Sequence, residues 1–463
     1  MAGNPFFWNE LSEKGNNVAL VTNEKELTYI QLDKLAKLIT EAIPARSFIF
    51  LVCTNSIASV AGYVGFLQKR IVPVLLNSAL DKELFVKLKQ HFQPQYIWCP
   101  NDFVEDKGIK EREGYKLVST GVKAPKIDED LAIMLTTSGS TGSPKFVRQS
   151  YKNIQSNTAA IAEYLGIIPD DHAITTLPMS YTYGLSIIQS HLMAGAKIIL
   201  TEQTFFDRGF WDFFREKGAT TFGAVPYTYQ MLDRLRFLRM NLPSLRYITQ
   251  AGGRLGEALH LKFASGMREQ GKALVVMYGA TEATARMSYV PTDYAVEKAG
   301  SIGIAIPNGR FELIDIDGSI ITESEKVGEL VYYGDNVALG YAEYCSDLAR
   351  GDEFGGRLET GDMAKRDEDG YYYVVGRKKR FLKIYGNRVN LAEVEDIFSQ
   401  AGYETVCVGG DDHMRIYTTS KDENEVVNFI SKKTGLNRAA FTAIHIDKIP
   451  YNDSGKVLYS ELE

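Results

Sequence analysis

Six hydroxyl side chains crowd the stretch TTSGSTGSPK at residues 136–145, and Thr137, Ser138, Ser140, Thr141 and Ser143 are the five past its first residue. The residues before it, DLAIMLT, read as a buried strand, so the stretch is a polar loop leaving a strand end. Gly139 and Gly142 permit backbone angles that other residues avoid. Hydroxyls and backbone N–H groups in such a loop can surround an anion, and phosphate is the obvious guest. Lys145 either adds positive charge to that site or lies solvated at the surface. A Walker-type phosphate loop needs Gly-Lys-Ser/Thr opening a helix. Here Pro144 precedes Lys145 and Phe146 follows it. Proline lacks an N–H to donate and disfavours helix at the residue before it, which argues against a nucleotide hydrolase of that type.

The elements that must position this loop repeat a simple unit. Residues 47–53 read as a strand, ASVAGYVGFLQK as a helix, and residues 71–77 as a second strand. The unit recurs as AITTLP at 173–178, a helix through LSIIQSHLMAG, and AKIILTE. It recurs again as TTFGAVP, a helix YTYQMLDRLRFL, then the strands LRYITQAG and ALVVMYG. Such alternation implies parallel sheets with helices packed on them. From about residue 300 the character changes: GRFELIDIDGSIITE reads as a hairpin turning at Asp-Gly, and GELVYYG as a further strand. The tail combines two helices, LAEVEDIFSQAG and ENEVVNFISKKTG, with three strands, ETVCVGG, MRIYTTS and FTAIHID. The expected fold is therefore α/β. A large body over residues 1–378, with a small barrel-like β region, precedes a small mobile α+β domain over 379–463.

With 463 residues, 45% hydrophobic and 24% charged, the chain is globular and long enough for two or more domains. The balance of 58 acidic against 52 basic residues gives −6, and no basic run exceeds RKKR at 377–380, so nucleic acid is not an expected partner. No window of 18 apolar residues predicts a membrane span, and MAGNPFFWNELSEKG lacks a signal-peptide pattern. Cys53, Cys99, Cys345 and Cys407 form no metal-binding spacing and read as reduced core thiols, so a cytoplasmic enzyme is expected.

The segment TSGSTGSPK closely resembles the signature loop of the adenylate-forming superfamily, which includes acyl-CoA synthetases, non-ribosomal peptide adenylation domains and beetle luciferases. Four further segments resemble that family's motifs in order: YGATE at 278–282, ETGD at 359–362, GRKKRFLKIYGNRV at 376–389 and NDSGKV at 452–457. The resemblance runs from about residue 130 to the C-terminus. It implies that ATP and a carboxylic acid give an acyl-adenylate and pyrophosphate, with the acyl group then passed to a thiol. That chemistry is mostly positioning and electrostatic stabilisation.

By resemblance, Thr137, Ser138, Gly139, Ser140, Thr141, Gly142 and Lys145 hold phosphates. Tyr278 stacks on adenine with Gly279 leaving room, and Gly252 and Gly253 of AGGR line the adenine and acyl pockets. Thr281 touches the α-phosphate and Glu282 helps hold Mg²⁺. Asp362 accepts the ribose hydroxyls, assisted by Arg377. Lys456 is the implied catalytic ammonium. Lys379 matches a hinge about which the small domain rotates between the two steps, and Lys383 matches a residue used in the thioester step. The implied acyl pocket draws on Tyr181, Tyr183, Gly184, Ala224, Tyr227, Gln250 and Ala251. Many acyl-activating relatives carry His where PMSYTYG places Tyr181, and no Asp stands there to pair with an α-ammonium. That favours an acid without an α-amine. The many aromatic residues suggest an apolar or aromatic acid. The acceptor is coenzyme A or a phosphopantetheine carrier protein, whose phosphates or acidic surface suit the basic segment. A nucleotide-binding protein that has lost catalysis is a third reading; loss of Lys456 or Glu282 would be its mark, and both are present. A light-emitting oxygenase on this scaffold has no residue in its favour.

Overall fold

The structure, a computed structural model, describes residues 6–136, 145–315, 317–385, 387–410, 412–450 and 457–462. The chain divides into two compact units: Met1–Arg310 with Tyr332–Leu358, and Phe311–Val331 with Glu359–Glu463.

The first unit is built on two sheets whose central strands are parallel. In one, the strands Ala273–Tyr278, Tyr247–Gln250, Thr221–Ala224, His172–Ile174, Lys197–Ile199 and Val18–Val21 lie side by side, all parallel. In the other, Leu131–Thr136, Val72–Asn77, Phe48–Cys53 and Tyr96–Pro100 form the parallel centre. Antiparallel strands Phe146–Ser150 and Gly340–Ala342 extend its edge. The strand Phe48–Cys53 shows why both faces must be covered. Ile49, Leu51 and Cys53 enter one core, whereas Phe48, Phe50 and Val52 enter another, following the two-residue period of a strand. The first core joins residues of both sheets, such as Leu20, Ile198, Leu51 and Leu75, to three helices, Tyr29–Thr40, Ile57–Gln68 and Thr182–Ala194. Every residue from Ile57 to Leu67 is buried, because that helix is apolar on all sides. Ser56 caps it by accepting from the Ser59 N–H. Gly65 is required there, since a Cβ would lie 2.5 Å from the Ala36 carbonyl oxygen.

The second unit carries the five-stranded sheet ordered Ile320–Ile321, Arg310–Ile314, Gly328–Tyr333, Arg357–Arg366, Tyr372–Arg377. Beyond it come the antiparallel pair Phe381–Ile384 and Asn387–Asn390, and a three-stranded sheet of Thr405–Gly410, His413–Thr418 and Phe441–His445. Helices Leu391–Gln400 and Glu423–Thr434 close a core around Phe398, Ile416 and Ile430.

The α/β expectation holds, with mixed sheets in a large body and a smaller C-terminal sheet domain. The expected strand at 173–178 is shorter, His172–Ile174. The side chain of Thr175 hydrogen-bonds the Thr201 backbone (2.9 and 3.1 Å), and that of Thr176 the Gly223 carbonyl, as the chain turns toward Pro178. The compact units are also cut differently from a boundary at residue 378. Asn390 Nδ2 donates to the Val375 carbonyl at 2.5 Å, tying the tail to the five-stranded sheet. Of the cysteines, Cys53, Cys99 and Cys407 are buried and Cys345 is partly exposed. Among the described residues no helix is long and apolar enough to cross a membrane.

His191 lies inside the first unit, its Nδ1–H donating to the Ile187 carbonyl at 2.8 Å. Burial lowers its imidazole from the ordinary value to about 4. The unfolded chain therefore binds a proton at this site between about pH 6.5 and 4 that the folded protein refuses, so stability falls as pH drops through that window. The contribution lost is roughly 3 kcal/mol at its limit. His191→Asn, which keeps a donor near the Ile187 carbonyl, is expected to flatten the acid side of a denaturation-midpoint-versus-pH curve.

Candidate active site

Three adjacent parallel strands end on one edge of the larger sheet, with Ala224 opposite Gln250 and Gln250 opposite Val276. Their following turns therefore crowd together, which is where sheets of this kind bind ligands. After Tyr278 the chain folds sharply back. A Cβ on Gly279 would lie 1.8 Å from the Ala285 carbonyl oxygen, so only glycine fits. Residues Thr281–Ala283 make one 3₁₀ turn. Thr284 follows at φ 64°, ψ −55°, with the Ala285 N–H on the Ala283 carbonyl at 2.7 Å, a γ-turn that β-branched residues rarely adopt.

Amide side chains hold this loop. Gln149 Nε2 donates to the Thr281 and Thr284 carbonyls at 3.1 and 3.3 Å. Asn336 Nδ2 donates to the Ala283 and Arg286 carbonyls, both at 2.9 Å. Asn157 donates to the Arg286 carbonyl at 2.9 Å and accepts from its N–H at 3.2 Å.

Glu282 meets Tyr341, whose hydroxyl donates to Oε1 at 3.0 Å. Burial and the Glu282 charge push the Tyr341 phenol up, so it remains a donor. Pairing of Gly340–Ala342 with Phe146–Ser150 brings Tyr341 beside Lys145, whose Nζ lies 3.8 Å from the centre of the Tyr341 ring. Lys145 and Tyr341 share a wall of a cavity of about 410 Å³. A carboxylate held by one phenol fits a hard cation such as Mg²⁺, which takes one or two protein carboxylates and fills its shell with phosphate oxygens and water. Among the described residues no group of three or more His, Cys, Asp and Glu is placed to hold a metal.

On the other side of the edge, Tyr181 stands immediately before helix Thr182–Ala194. A Cβ on Gly252, at φ 84°, would lie 2.5 Å from the Tyr181 hydroxyl oxygen. Tyr181 makes an edge contact with Tyr183 at 6.3 Å, and the Tyr183 hydroxyl bonds Thr249 Oγ1 at 2.7 Å. Burial pushes Tyr183 up to about 12 and raises Tyr181 as well, so both phenols stay protonated at neutral pH. Gln250 Nε2 donates to the Gly253 carbonyl at 2.9 Å, and the Ala251 N–H reaches the Ala224 carbonyl at 3.4 Å. Gly184 is pressed on the Pro178 carbonyl, 2.3 Å from where its Cβ would be. Tyr227 stands apart: it is 54% exposed and borders a separate cavity of about 320 Å³ with Leu177, Met179 and Phe206.

In the second unit, Asp362 is buried and faces Arg377 across an antiparallel pair, with Arg377 Nε 2.9 Å from Asp362 Oδ1. Arg377 Nη1 also donates to the Thr360 carbonyl at 3.1 Å. The residues flanking Lys379 are both anchored. Lys378 Nζ pairs with Glu329, and Arg380 pairs with Glu395, each at 2.6 Å. Thr137, Ser138, Gly139, Ser140, Thr141, Gly142 and Lys456 lie outside the described residues, as do the side chains of Lys379 and Lys383.

Sequence reasoning did not single out Tyr341, Gln149, Asn157, Asn336 or Arg286. The first four reach the loop from distant strands, a helix and a turn. Arg286 carried a local signal, a lone charge four residues after Glu282 and next to an apolar strand.

Residues 7–342 match the model of a family described as AMP-binding enzyme. The chain is 27% identical over 413 residues to a 2-succinylbenzoate–CoA ligase of Bacillus cereus, covering 84% of this chain and 82% of that one. It is 27% identical to an oxalate–CoA ligase of Saccharomyces cerevisiae, covering 79% and 69%. Its fold is similar to that of the O-succinylbenzoate coenzyme A synthetase MenE of Bacillus subtilis in complex with AMP, at a TM-score of 0.79 and 21% identity over 99% and 98% of the two chains.

Removing the Tyr341 hydroxyl should loosen Glu282. Tyr341→Phe is expected to raise the Mg-ATP concentration needed for half-maximal pyrophosphate exchange by roughly ten-fold or more, the scale of a hydrogen bond to a charged group. The fold should be unchanged by circular dichroism.

Proposed function

We infer, because this chain belongs to the AMP-binding enzyme family, that it is an AMP-forming acid–thiol ligase. A carboxylic acid attacks the α-phosphorus of ATP, releasing pyrophosphate and leaving an acyl-adenylate. The thiol of coenzyme A then attacks the acyl carbon and AMP departs. The observation that carries this reading is the crowded strand edge within the family-matched segment, where Thr281 and Glu282 sit on a clamped loop beside Lys145, with Gly252 and Tyr181 opposite.

We assign Thr281 to the α-phosphate and Glu282, held by Tyr341, to the ion. Mg²⁺ arriving with ATP would neutralise phosphate charge and take a Glu282 oxygen. Tyr278 and Gly279 are assigned to adenine, and the Asp362–Arg377 pair to the ribose hydroxyls; the arginine holds the carboxylate in orientation to accept from both. Tyr181, protonated at neutral pH, donates to the substrate carboxylate where a histidine would otherwise stand. Lys456 and the loop Thr137–Gly142 are assigned by resemblance alone: an ammonium and a set of hydroxyls offsetting charge as it shifts onto phosphoryl oxygens.

The boundary at residues 378–379 is proposed as the mobile one between the two half-reactions, since a hinge concentrates its change in a few backbone angles. Coenzyme A is proposed as acceptor because the relatives are named as CoA ligases. A cytoplasmic setting, where the four free cysteines stay reduced, is part of the proposal.

The test is ATP–pyrophosphate exchange across a panel of acids including 2-succinylbenzoate and oxalate, followed by thioester detection with coenzyme A and with a phosphopantetheine carrier protein. Exchange with no acid would overturn the reading, and thioester on the carrier alone would replace the acceptor. Lys456→Ala is expected to lower adenylation by roughly 10²–10³-fold, the scale for losing one such stabiliser. Lys379→Pro is expected to spare exchange and impair thioester formation; equal loss of both would remove the hinge assignment.

A further inference from the structure

Arg286 ends the clamped loop with its side chain turned inward. The residue is 2% exposed. Its guanidinium carbon lies 4.1 Å from the centre of the Tyr183 ring, and Nε donates to Met277 Sδ at 3.4 Å. The Tyr164 hydroxyl, which donates to the same sulfur at 2.9 Å, also faces it. Each of these neighbours is uncharged. Among the described residues no carboxylate forms an ion pair with Arg286, whereas the buried Arg148 pairs with Glu353 and the buried Asp171 with Arg246, each at 2.5 Å. A guanidinium does not deprotonate in a protein, so Arg286 cannot escape burial by becoming neutral. A buried charge without a counter-charge costs several kcal/mol. The rings and sulfur offset only part of that cost.

The position of Arg286 tells which anion completes it. Gly252, Tyr181, Tyr183 and Arg286 form a line of contacts running inward from the strand edge. The first two belong to the place assigned to the reacting carboxylate, and Arg286 stands one ring deeper. Beside it is a small cavity of about 10 Å³, where Ser186, Ser190 and Thr249 stand among apolar residues such as Ile161, Leu165 and Phe222. That is room for about one water. An apolar tail would meet a desolvated cation and hydroxyls there. A carboxylate would meet a fork of donors that matches its two oxygens.

We propose that Arg286 binds a second carboxylate of the substrate, at the end remote from the reacting one, so that the acid activated by this protein is a dicarboxylic acid. This rests on the adenylation reading and gives its pocket a polar floor, in contrast to the apolar or aromatic acid that the abundance of aromatic residues suggested. The cavity about the arginine must widen to admit the acid.

The test compares dicarboxylic acids with their own monoamides, which keep shape and length and lose one charge. Glutarate, adipate and benzene-1,3-dicarboxylate, each with its monoamide, serve as probes. In pyrophosphate exchange the wild type should favour at least one diacid over its monoamide by roughly 10²-fold, chiefly through KM, the scale of a lost charged hydrogen-bonding partner. Arg286→Gln should bring that ratio near one, and Arg286→Lys should keep part of it. Each diacid is also added without ATP in a thermal-shift measurement. The preferred diacid should raise the melting temperature of the wild type and not of Arg286→Gln. A wild type that uses monoamides as well as diacids, or an Arg286→Gln variant that retains both the preference and the thermal shift, would overturn the proposal. If no acid supports exchange, the adenylation reading fails, and the thermal shift still decides whether Arg286 binds a carboxylate.

Discussion

The return of the chain from Gly279 to Arg286 is the constraint on which the site depends. Beyond one 3₁₀ turn it has no regular structure, so several of its carbonyls find no partner in a ladder. Gln149, Asn157 and Asn336 satisfy them instead, from a strand, a helix and a turn that belong to the smaller parallel sheet or flank it. The loop hangs from the larger sheet through Tyr278 and is fastened to the smaller one through these amides. Thr281 and Glu282 thus take their positions from both sheets at once. The strained Thr284 conformation is affordable only because its neighbours are held on either side.

Much of this was legible in the sequence, and the reason is local. Strands and helices follow from two-residue and 3.6-residue periods. Phe48–Cys53, Val72–Asn77, Tyr247–Gln250 and Ala273–Tyr278 all lie where apolar runs predicted them. Motif residues such as Thr281, Glu282 and Gly279 are contiguous, so their order survives in the linear chain. Tyr341 and Asn336 are not legible, because what matters about them is a contact made across more than fifty positions. A tyrosine among 26 carries no mark of the carboxylate it will meet. The extent of the compact units is not legible either. Composition changes at the basic segment, yet the bond from Asn390 to Val375 spans it.

Arg286 shows how local reading can mislead as well as miss. The tyrosines around the acyl pocket suggest a greasy lining when counted. In three dimensions, the Tyr183 ring lies against a guanidinium and the Tyr164 hydroxyl meets it too, so their faces and hydroxyls solvate a cation. The same residue types therefore describe a pocket of opposite polarity once their partner is known.

The helix Ile57–Gln68, packed on every side, has a mechanical consequence. A wedge with no solvent face and with a glycine pressed against a neighbouring helix has nowhere to slide. The paired sheets around it form a stiff chassis that transmits little deformation. Substrate entry and product departure then have to be accommodated by the turns at the strand ends and by rotating rings, while the framework beneath them stays still.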